Sequence, residues 1–400
     1  MEAQAIMDLE KQYIVQTYRR PPFVLERGKG VYLYDTEGRR YLDFVAGIAV
    51  NSLGYGDPEV LDVIQAQAAK LIHVSNLYHT IPHVELAQRL TGHSFADRVF
   101  FCNSGTEANE AAIKFARKWA RSNFGEGKTR LVAFSGAFHG RTMGTLALTP
   151  RDKYQQPFAP LMPDVSIATF NDLDSAEAAI DDATCAVFVE PLQGEGGVNP
   201  ASYDFLQGLR ELCNAHHALL AFDEVQCGLG RTGTLWAHEP SGVTPDIMTL
   251  AKPLGGGLPI GATLVTEEVA QVMAPGDHGS TFAANSLITA LACVVFDRVS
   301  APEFLAEVRE KGQYLQERLQ ALQADGLPIS EVRGRGLIWG LETPLAAAQV
   351  VGAGYEEAII VATAGEHVVR LVPPLVIERA HIDELVPALE RAFHKAQKQP

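Results

Sequence analysis

Seven short apolar runs, alternating with helical stretches, constrain the fold of this chain more than any other feature of its sequence. They occupy residues 98–102, 131–134, 165–170, 185–190, 218–224, 247–251 and 260–265. Their apolar residues are continuous rather than alternating, which is typical of strands buried on both faces of a sheet. Stretches with helical periodicity, such as EANEAAIKFARKWA (107–120), separate them. The pattern predicts a large α/β domain with a mostly parallel, seven-stranded sheet between helices.

The segment before this region predicts a hairpin and a helix. Alternating apolar residues in GKGVYLYDTEGRRYLDF flank the turn signal Asp35-Thr36-Glu37-Gly38, which is typical of a β-hairpin. Residues 57–74 have the periodicity of a helix.

The segment after about residue 296 changes character again. A long amphipathic helix is predicted over 303–323 and a closing helix over 381–396, with strands in GLIWGLE (336–342) and VVRLVPPLVI (368–377) between them. We therefore expect a smaller α+β domain over 296–400, a large domain over 46–295, and an N-terminal arm and hairpin over 1–45 that joins the small domain.

Length and composition exclude several classes of protein. The chain has 400 residues, of which 47% are hydrophobic and 20% charged, as expected for a globular protein of two packed domains. The net charge of −15 argues against nucleic acid and anionic membranes as main partners. Five cysteines without a C-x-x-C pair predict neither disulfides nor a thiolate zinc site, and favour the cytoplasm. We expect no signal peptide and no membrane span.

Polar residues stand directly after four of the apolar runs. They are Asn103-Ser104-Gly105-Thr106, Glu190, Asp223 and Lys252. Ligands of open α/β sheets bind beyond the carboxyl ends of the strands, where parallel strands bring distant residues together. We therefore expect these four positions to share one site.

The turn Ser104-Gly105-Thr106 precedes a helix, so its unpaired N–H groups and the helix dipole suit a phosphate. The alternative is an ordinary helix N-cap.

Asp223 follows five apolar residues and needs a partner, for which a pyridinium N–H would serve. A strand-end carboxylate that caps the next turn is the alternative. Lys252 lies between a buried strand and a glycine cluster, where a lowered pKa would let it condense with an aldehyde; the alternative is a surface lysine.

Two further segments suggest substrate contacts. In Phe138-His139-Gly140-Arg141, the phenyl ring could stack on an aromatic ligand and the guanidinium could bind a carboxylate. Core packing and a surface ion pair are the alternatives. Arg370 lies among apolar residues, so it should be paired or bind an anion. No metal site is predicted, because the adjacent His216 and His217 cannot face one ion.

Six segments, in order and spacing, resemble the class III aminotransferases. They are CNSGTEANEAAIK (102–114), FHGRTMG (138–144), VEPLQGEGGV (189–198), LLAFDEVQCGLGRTG (219–233), LAKPLGGGLPIGA (250–262) and HGSTF (278–282). The similarity extends from about residue 20 to about 390. It implies a fold-type I enzyme that uses pyridoxal 5'-phosphate and acts as a homodimer.

The resemblance also implies a role for each matching residue. Lys252 would form a Schiff base with the cofactor, Asp223 would pair with the pyridine nitrogen, and Gln226 would lie near the phenolic oxygen. Val225 and Phe138 would pack on opposite faces of the ring, and Glu190 would support the pocket. Ser104, Gly105 and Thr106 would bind the phosphate, joined by Thr281 of the neighbouring subunit. The implied substrate-binding residues are Arg141, Glu195, Ser280 and Arg370.

Within the family, the segments 47–51 and 73–78 resemble members that act on N-acetylornithine in arginine biosynthesis, with 2-oxoglutarate as acceptor. The small Gly47 stands where ornithine-specific members place a tyrosine, which leaves room for an acyl group. Ala283-Ala284-Asn285-Ser286 replaces the family's usual Gly-Gly-Asn-Pro. The alternatives are acyl-lysine, succinyl-diaminopimelate, ornithine or γ-aminobutyrate as donor, a pyridoxal-phosphate-dependent isomerase, and a non-catalytic metabolite-binding module.

Overall fold

The chain begins with a helix and a small antiparallel sheet in the computed structural model, which describes residues 2–398. These elements are α1 (Ala3–Tyr13), β1 (Leu25–Lys29), β2 (Tyr32–Asp35) and β3 (Arg40–Asp43). Strands β2 and β3 pair antiparallel around the turn at Gly38, where φ is +83°. The predicted hairpin is therefore confirmed.

Three helices lead to the large sheet: α2 (Ala46–Ala49), α3 (Pro58–Ala68) and α4 (Ile81–Gly92). Helix α3 begins where predicted, because the carboxylate of Asp57 accepts the free N–H groups of Glu59 and Val60. It ends six residues before the predicted boundary. The N–H groups of Lys70 and Leu71 both bond to the carbonyl of Gln67, which closes the helix in a tight turn.

The large domain alternates strands and helices. Its strands are β4 (Arg98–Cys102), β5 (Arg130–Phe134), β6 (Val165–Ala168), β7 (Thr184–Val189), β8 (Leu192–Gln193), β9 (Asn199–Pro200), β10 (Leu219–Asp223), β11 (Ile247–Leu250) and β12 (Gly261–Val265). Its helices are α5 (Gly105–Phe124), α6 (Met143–Ala147), α7 (Asp152–Gln155), α8 (Leu173–Ala179), α9 (Tyr203–Ala215), α10 (Glu267–Ala270) and α11 (Ser286–Val299).

The main sheet has the order β4-β12-β11-β10-β7-β5-β6. Strand β12 runs antiparallel to both of its neighbours, and the remaining neighbours pair in parallel. All seven predicted strands and the mostly parallel α/β fold are confirmed. The carboxyl ends of β4, β7, β10 and β11 therefore lie at one edge of the sheet.

Both faces of this sheet are buried, which explains the continuous apolar runs. Phe188 and Ala221 pack with the alanine-rich face of α5. Their chain neighbours Val187 and Phe222 pack on the opposite face with α8 and α9. Side chains of successive strand residues point to opposite faces, so each strand must be apolar throughout.

The C-terminal part adds a second sheet and long helices. Its elements are α12 (Pro302–Ala324), β13 (Glu331–Arg335), β14 (Ile338–Glu342), α13 (Ala347–Glu356), β15 (Ile359–Ile360), β16 (Ala362–Thr363), β17 (Val368–Leu371) and α14 (Arg379–Gln397). One sheet has the order β13-β14-β17-β16, and β15 pairs in parallel with β3 of the N-terminal hairpin. Both predicted helices are confirmed.

The strand predicted over 368–377 was too long. It ends at Leu371, because Pro373 and Pro374 have no N–H group to donate to a neighbouring strand. The N–H groups of Val372 and Leu375 bond instead to the carbonyls of Phe44 and Ser52. The strand predicted over 165–170 likewise stops at Ala168. Among the helices of residues 2–398, none is long and apolar enough to cross a membrane.

Candidate active site

A cavity of about 450 Å³ opens at the carboxyl ends of β4, β7, β10 and β11. Eleven of the predicted site residues line it: Ser104, Gly105, Thr106, Phe138, Arg141, Glu190, Glu195, Asp223, Val225, Gln226 and Lys252. Ser280, Thr281 and Arg370 are not among the lining residues. The expectation that the four strand ends share one site therefore agrees with the observed geometry.

Asp223 ends β10 and is 3% exposed. Its Oδ2 accepts hydrogen bonds of 2.8 Å from Asn109 Nδ2 and His139 Nδ1, and its Oδ1 accepts one of 3.0 Å from the N–H of Val225. Burial disfavours protonation of His139, but the hydrogen bond and the negative charge of Asp223 raise its pKa above the usual value. Three hydrogen bonds thus fix the orientation of this carboxylate while it faces the cavity.

Lys252 follows β11 and lines the cavity. Its φ of +22° is rare for a residue other than glycine, a kind of backbone strain that clusters at functional sites. Burial lowers the pKa of its amine, against the opposing negative charge of Glu195. Lys252 is half-buried and lines the cavity, so the alternative of a surface lysine is wrong. A larger fraction of this amine is neutral, and therefore nucleophilic, at a given pH.

The first turn of α5 forms one wall of the cavity. Ser104 is its N-cap and accepts the N–H of Glu107, while its hydroxyl donates to the carboxylate of Glu107 at 2.9 Å. The N-cap alternative is therefore correct for this side chain, and it leaves the backbone N–H groups of the turn available for an anion. A side chain at Gly105 would meet Val225 at 2.6 Å, so only glycine allows the helix this close to the loop after β10.

Glu190 fixes the loop that carries Phe138. Its two carboxylate oxygens accept the N–H of Phe138 at 3.0 Å and that of Gly194 at 3.2 Å. Burial raises the pKa of Glu190 to about 7, although the charge of His139 opposes the shift. Phe138 is half-buried, belongs to none of the core clusters found in residues 2–398, and faces the cavity. The alternative of core packing is wrong for this ring.

Arg370 lies on β17 and forms hydrogen bonds with two residues that line the cavity. It is 2% exposed, and its Nη1 donates to Glu195 Oε1 at 2.6 Å and to Gln226 Oε1 at 2.8 Å. Burial alone would raise the pKa of Glu195, but the positive charges of Arg370 and Lys252 hold it below its usual range. The buried guanidinium is therefore paired, as its apolar surroundings required.

Arg141 is exposed at the mouth of the cavity. Within residues 2–398 its guanidinium has no acidic partner, so the alternative of a surface ion pair is wrong. Ser280 is close to the site, because its hydroxyl accepts a hydrogen bond of 2.8 Å from Asn103 Nδ2. Thr281 is exposed and does not contact the cavity of its own chain.

Asn109, one turn along α5 from Gly105, was missed by the sequence reasoning. Its side chain is 1% exposed and joins three groups: it donates to Asp223 Oδ2 and to the carbonyl of His139, and accepts from Thr249 Oγ1, each at 2.8 Å. The signal was present, because an asparagine on the alanine-rich buried face of a helix must have polar partners.

These groups fit pyridoxal 5'-phosphate. A helix N-terminus whose glycine leaves no room for a side chain suits the phosphate, and a buried carboxylate suits a pyridinium nitrogen. Lys252 supplies an amine with a lowered pKa for the aldehyde, and Phe138 supplies a flat surface beside the ring.

Comparisons with known proteins agree with this site. Residues 13–393 match the model of the family described as aminotransferase class-III. The acetylornithine aminotransferase, mitochondrial, of Alnus glutinosa is 52% identical over 398 residues, covering 96% of this chain and 88% of that relative. The acetylornithine aminotransferase of Methanocaldococcus jannaschii is 46% identical over 392 residues, 98% of each chain.

A solved structure of the ornithine aminotransferase of Toxoplasma gondii, described with partial occupancy of pyridoxal phosphate in its active site, has a TM-score of 0.94 and 30% identity. The match covers 99% of this chain and 96% of that one. Sequence and fold thus agree over nearly the whole length. The chain belongs to the class III aminotransferases and is a pyridoxal-phosphate-dependent transaminase.

Proposed function

We propose that the enzyme transfers the terminal amino group of N-acetylornithine to 2-oxoglutarate, in the arginine biosynthetic direction or its reverse. The products are N-acetylglutamate semialdehyde and glutamate. The observation that carries this proposal is the Arg370–Glu195 pair beside Lys252. A transaminase with these two substrates must admit a dicarboxylate and a monocarboxylate to one site in turn. Glu195 can neutralise Arg370 when a monocarboxylate is bound, and can release it to bind the second carboxylate of a dicarboxylate. The pair therefore meets that requirement.

The donor assignment has two further supports. Relatives at 52% and 46% identity are named acetylornithine aminotransferases. Gly47 leaves the space beside α2 without a bulky side chain, and its φ of +64° favours glycine there. We propose that the tyrosine implied at this position by the resemblance to ornithine-specific members would crowd an acylated α-amino group.

We propose that Lys252, Asp223, Gln226, Val225 and Phe138 hold the cofactor ring, with Glu190 supporting them. Ser104, Gly105 and Thr106 hold the phosphate. When bound, pyridoxal phosphate supplies an electron sink for the carbon that bears the amine. The Asp223 carboxylate would keep a proton on the facing pyridine nitrogen. With its lowered pKa, Lys252 Nζ would take the proton from the substrate carbon and return it at the other end of the transfer.

Arg141 would bind the substrate carboxylate far from Lys252, with Ser280 beside it. Arg370 would bind the α-carboxylate of 2-oxoglutarate or glutamate once Glu195 moves away. When N-acetylornithine is bound, Glu195 would remain on Arg370, because this donor presents no second carboxylate. Arg370 would then keep a carboxylate partner in both half-reactions.

We also propose a homodimer in which Thr281 reaches the phosphate of the neighbouring subunit. Large apolar side chains are exposed around the segment 71–84 and at Phe282, and the two regions touch through Asn76 Nδ2 and the carbonyl of Ala283 at 3.1 Å. Such a patch is typical of a protein interface. Thr281 is the neighbour of Phe282 in this patch.

The division into an N-terminal arm with hairpin (1–45), a large domain (46–295) and a small domain (296–400) stays a prediction, supported by the pairing of β3 with β15. Residues 1, 399 and 400 lie outside the described part of the chain. A cytoplasmic location also stays a prediction. It is supported by five cysteines that, in the described residues, are buried and form no disulfide.

A donor panel tests the proposed function. Purified holoenzyme is given N-acetylornithine, ornithine, γ-aminobutyrate, N-acetyl-lysine or N-succinyl-diaminopimelate, each with 2-oxoglutarate, and glutamate formation is measured. We expect the highest kcat/KM with N-acetylornithine. A higher value with any other donor would contradict the proposed donor.

The same panel without keto acid separates a transaminase from an isomerase. A transaminase stops after one amino group per active site, whereas an isomerase turns over continuously. Cofactor binding without any amine-dependent absorbance change would instead indicate a binding module. We expect a single turnover that 2-oxoglutarate restarts.

A further inference from the structure

Arg141 has a well-fixed backbone and an unanchored side chain. The N–H groups of Arg141 and Thr142 both donate to Thr106 Oγ1, at 3.2 and 3.3 Å. In the turn that follows, the N–H groups of Gly144 and Thr145 donate hydrogen bonds to the carboxylate of Glu110. The guanidinium itself, however, donates to no residue within 2–398. A long, exposed arginine without a partner samples many rotamers, which weakens any carboxylate contact it makes.

Tyr154 limits that freedom. The guanidinium carbon of Arg141 lies 3.5 Å from the centre of the Tyr154 ring, which is van der Waals contact, whereas the Phe138 ring is 5.5 Å away. Stacking of this kind holds a guanidinium flat by its face. The N–H groups around its edge stay free, and two of them can bind one carboxylate side by side.

The residues on either side of Tyr154 are held in place. Tyr154 belongs to α7, and the following residue, Gln155, donates from Nε2 to the carbonyl of Leu146 at 2.9 Å. The residue before α7, Arg151, donates from Nη2 to the carbonyl of Glu195 at 2.6 Å. The hydroxyl of Tyr154 has no hydrogen bond to the described residues. The contact with Arg141 therefore depends on the ring and not on the hydroxyl.

We infer that Tyr154 is a positioning residue that presents the Arg141 guanidinium edge-on to the substrate carboxylate, and so sets the preference for amine donors that carry a carboxylate. The inference rests on the proposed function, in which Arg141 binds that carboxylate. It assigns Tyr154 an effect on donor binding rather than on proton transfer, because the ring contacts Arg141 and is not among the residues that line the cavity with Lys252 and Asp223.

Two donors that differ only in the carboxylate provide the test. N-Acetylputrescine is N-acetylornithine without its α-carboxylate. The donor half-reaction is followed by cofactor absorbance without keto acid, and the rate constant divided by the apparent Kd is measured for each donor. The readout is the ratio of the two values, which a general loss of folding or of cofactor would leave unchanged.

We expect Tyr154→Leu to lower this ratio roughly twofold to fivefold, as for the loss of one exposed cation–π contact. The change should lie in the apparent Kd for N-acetylornithine, and the rate constant at saturation should be kept. Tyr154→Phe, which retains the ring, should restore the wild-type ratio. Phe158→Leu removes an exposed aromatic side chain from the same surface segment and serves as the matched control. Its ratio should equal that of the wild type.

Two results would overturn the inference: an unchanged ratio in Tyr154→Leu, or a loss in Tyr154→Phe as large as in Tyr154→Leu. If Tyr154→Leu does not fold, Tyr154→Gln carries the same comparison. A wild-type enzyme without any preference for the carboxylated donor would contradict the Arg141 assignment, and with it both the proposed function and the inference. A wild-type preference that survives in Tyr154→Leu contradicts only the inference.

Discussion

Replacing Asn109 by alanine should destabilise the fold and loosen the cofactor site together. The change removes a side chain that joins Asp223, the carbonyl of His139 and the hydroxyl of Thr249. The side chain is 1% exposed, so solvent does not readily replace it. Asp223 keeps its contact with His139 but loses a charged hydrogen bond at Oδ2.

The expected magnitude follows from the number of groups left without a partner. A buried polar group that loses its hydrogen bond costs about 1–3 kcal/mol. The carbonyl of His139 and the hydroxyl of Thr249 lose their partner, whereas Asp223 keeps two of its three hydrogen bonds. Part of the cost is recovered where a group rotates or a water molecule enters. We expect the free energy of unfolding of the apoenzyme to fall by about 2–5 kcal/mol.

Urea unfolding of the apoenzyme measures this difference, and titration with pyridoxal phosphate measures the change in cofactor Kd. Asn123→Ala is the matched control, because Asn123 lies at the exposed end of the same helix and its side chain, among the residues that the structure describes, bonds to the carbonyl of Trp119 alone. It should change stability by less than about 0.5 kcal/mol. If Asn109→Ala is as stable as Asn123→Ala and binds the cofactor equally well, the bridging role of Asn109 is refuted.

Three further changes test other parts of the site. Gly105→Ala places a methyl group 2.6 Å from a valine of the loop after β10 and should raise the cofactor Kd about tenfold or more, whereas Gly92→Ala, with nothing within 4 Å, should leave it unchanged in the same titration. Glu195→Gln removes the carboxylate that competes for Arg370, so stopped-flow measurement should give about fivefold tighter binding of 2-oxoglutarate; weaker binding would speak against the exchange. Thr281→Ala should raise the cofactor Kd about tenfold in a protein that sediments as a dimer, and a monomer with wild-type affinity would contradict the shared site.

Much of the fold could be predicted because the large sheet is buried on both faces. Continuous apolar runs such as the one before Asp223 have no other common explanation at this length, and their ends placed Glu190, Asp223 and Lys252 together. The direction of β12 could not be predicted, since a buried strand has the same composition whether it is parallel or antiparallel. The last strand was predicted too long because Pro373 and Pro374 were counted with the apolar run although they cannot donate hydrogen bonds.

Site residues could be predicted from the sequence where the residue type itself indicates the chemistry. Residues that act by positioning another side chain could not be predicted in this way. Lys252 and Asp223 stand at strand ends and could be found one at a time. Asn109 is important because it contacts Asp223, and Tyr154 because it contacts Arg141. Such contacts join positions 114 and 13 residues apart, and periodicity along the chain carries no information about them.

Lys252 is the residue on which the proposed transamination depends most directly. Holoenzyme, Lys252→Ala and the exposed-lysine control Lys153→Ala are each given N-acetylornithine alone, and cofactor absorbance is recorded until it is constant; 2-oxoglutarate is then added. We predict that wild type and Lys153→Ala complete one turnover and are restored by 2-oxoglutarate, while Lys252→Ala forms no glutamate at a measurable steady rate. Wild-type turnover in Lys252→Ala would contradict the central role of this residue.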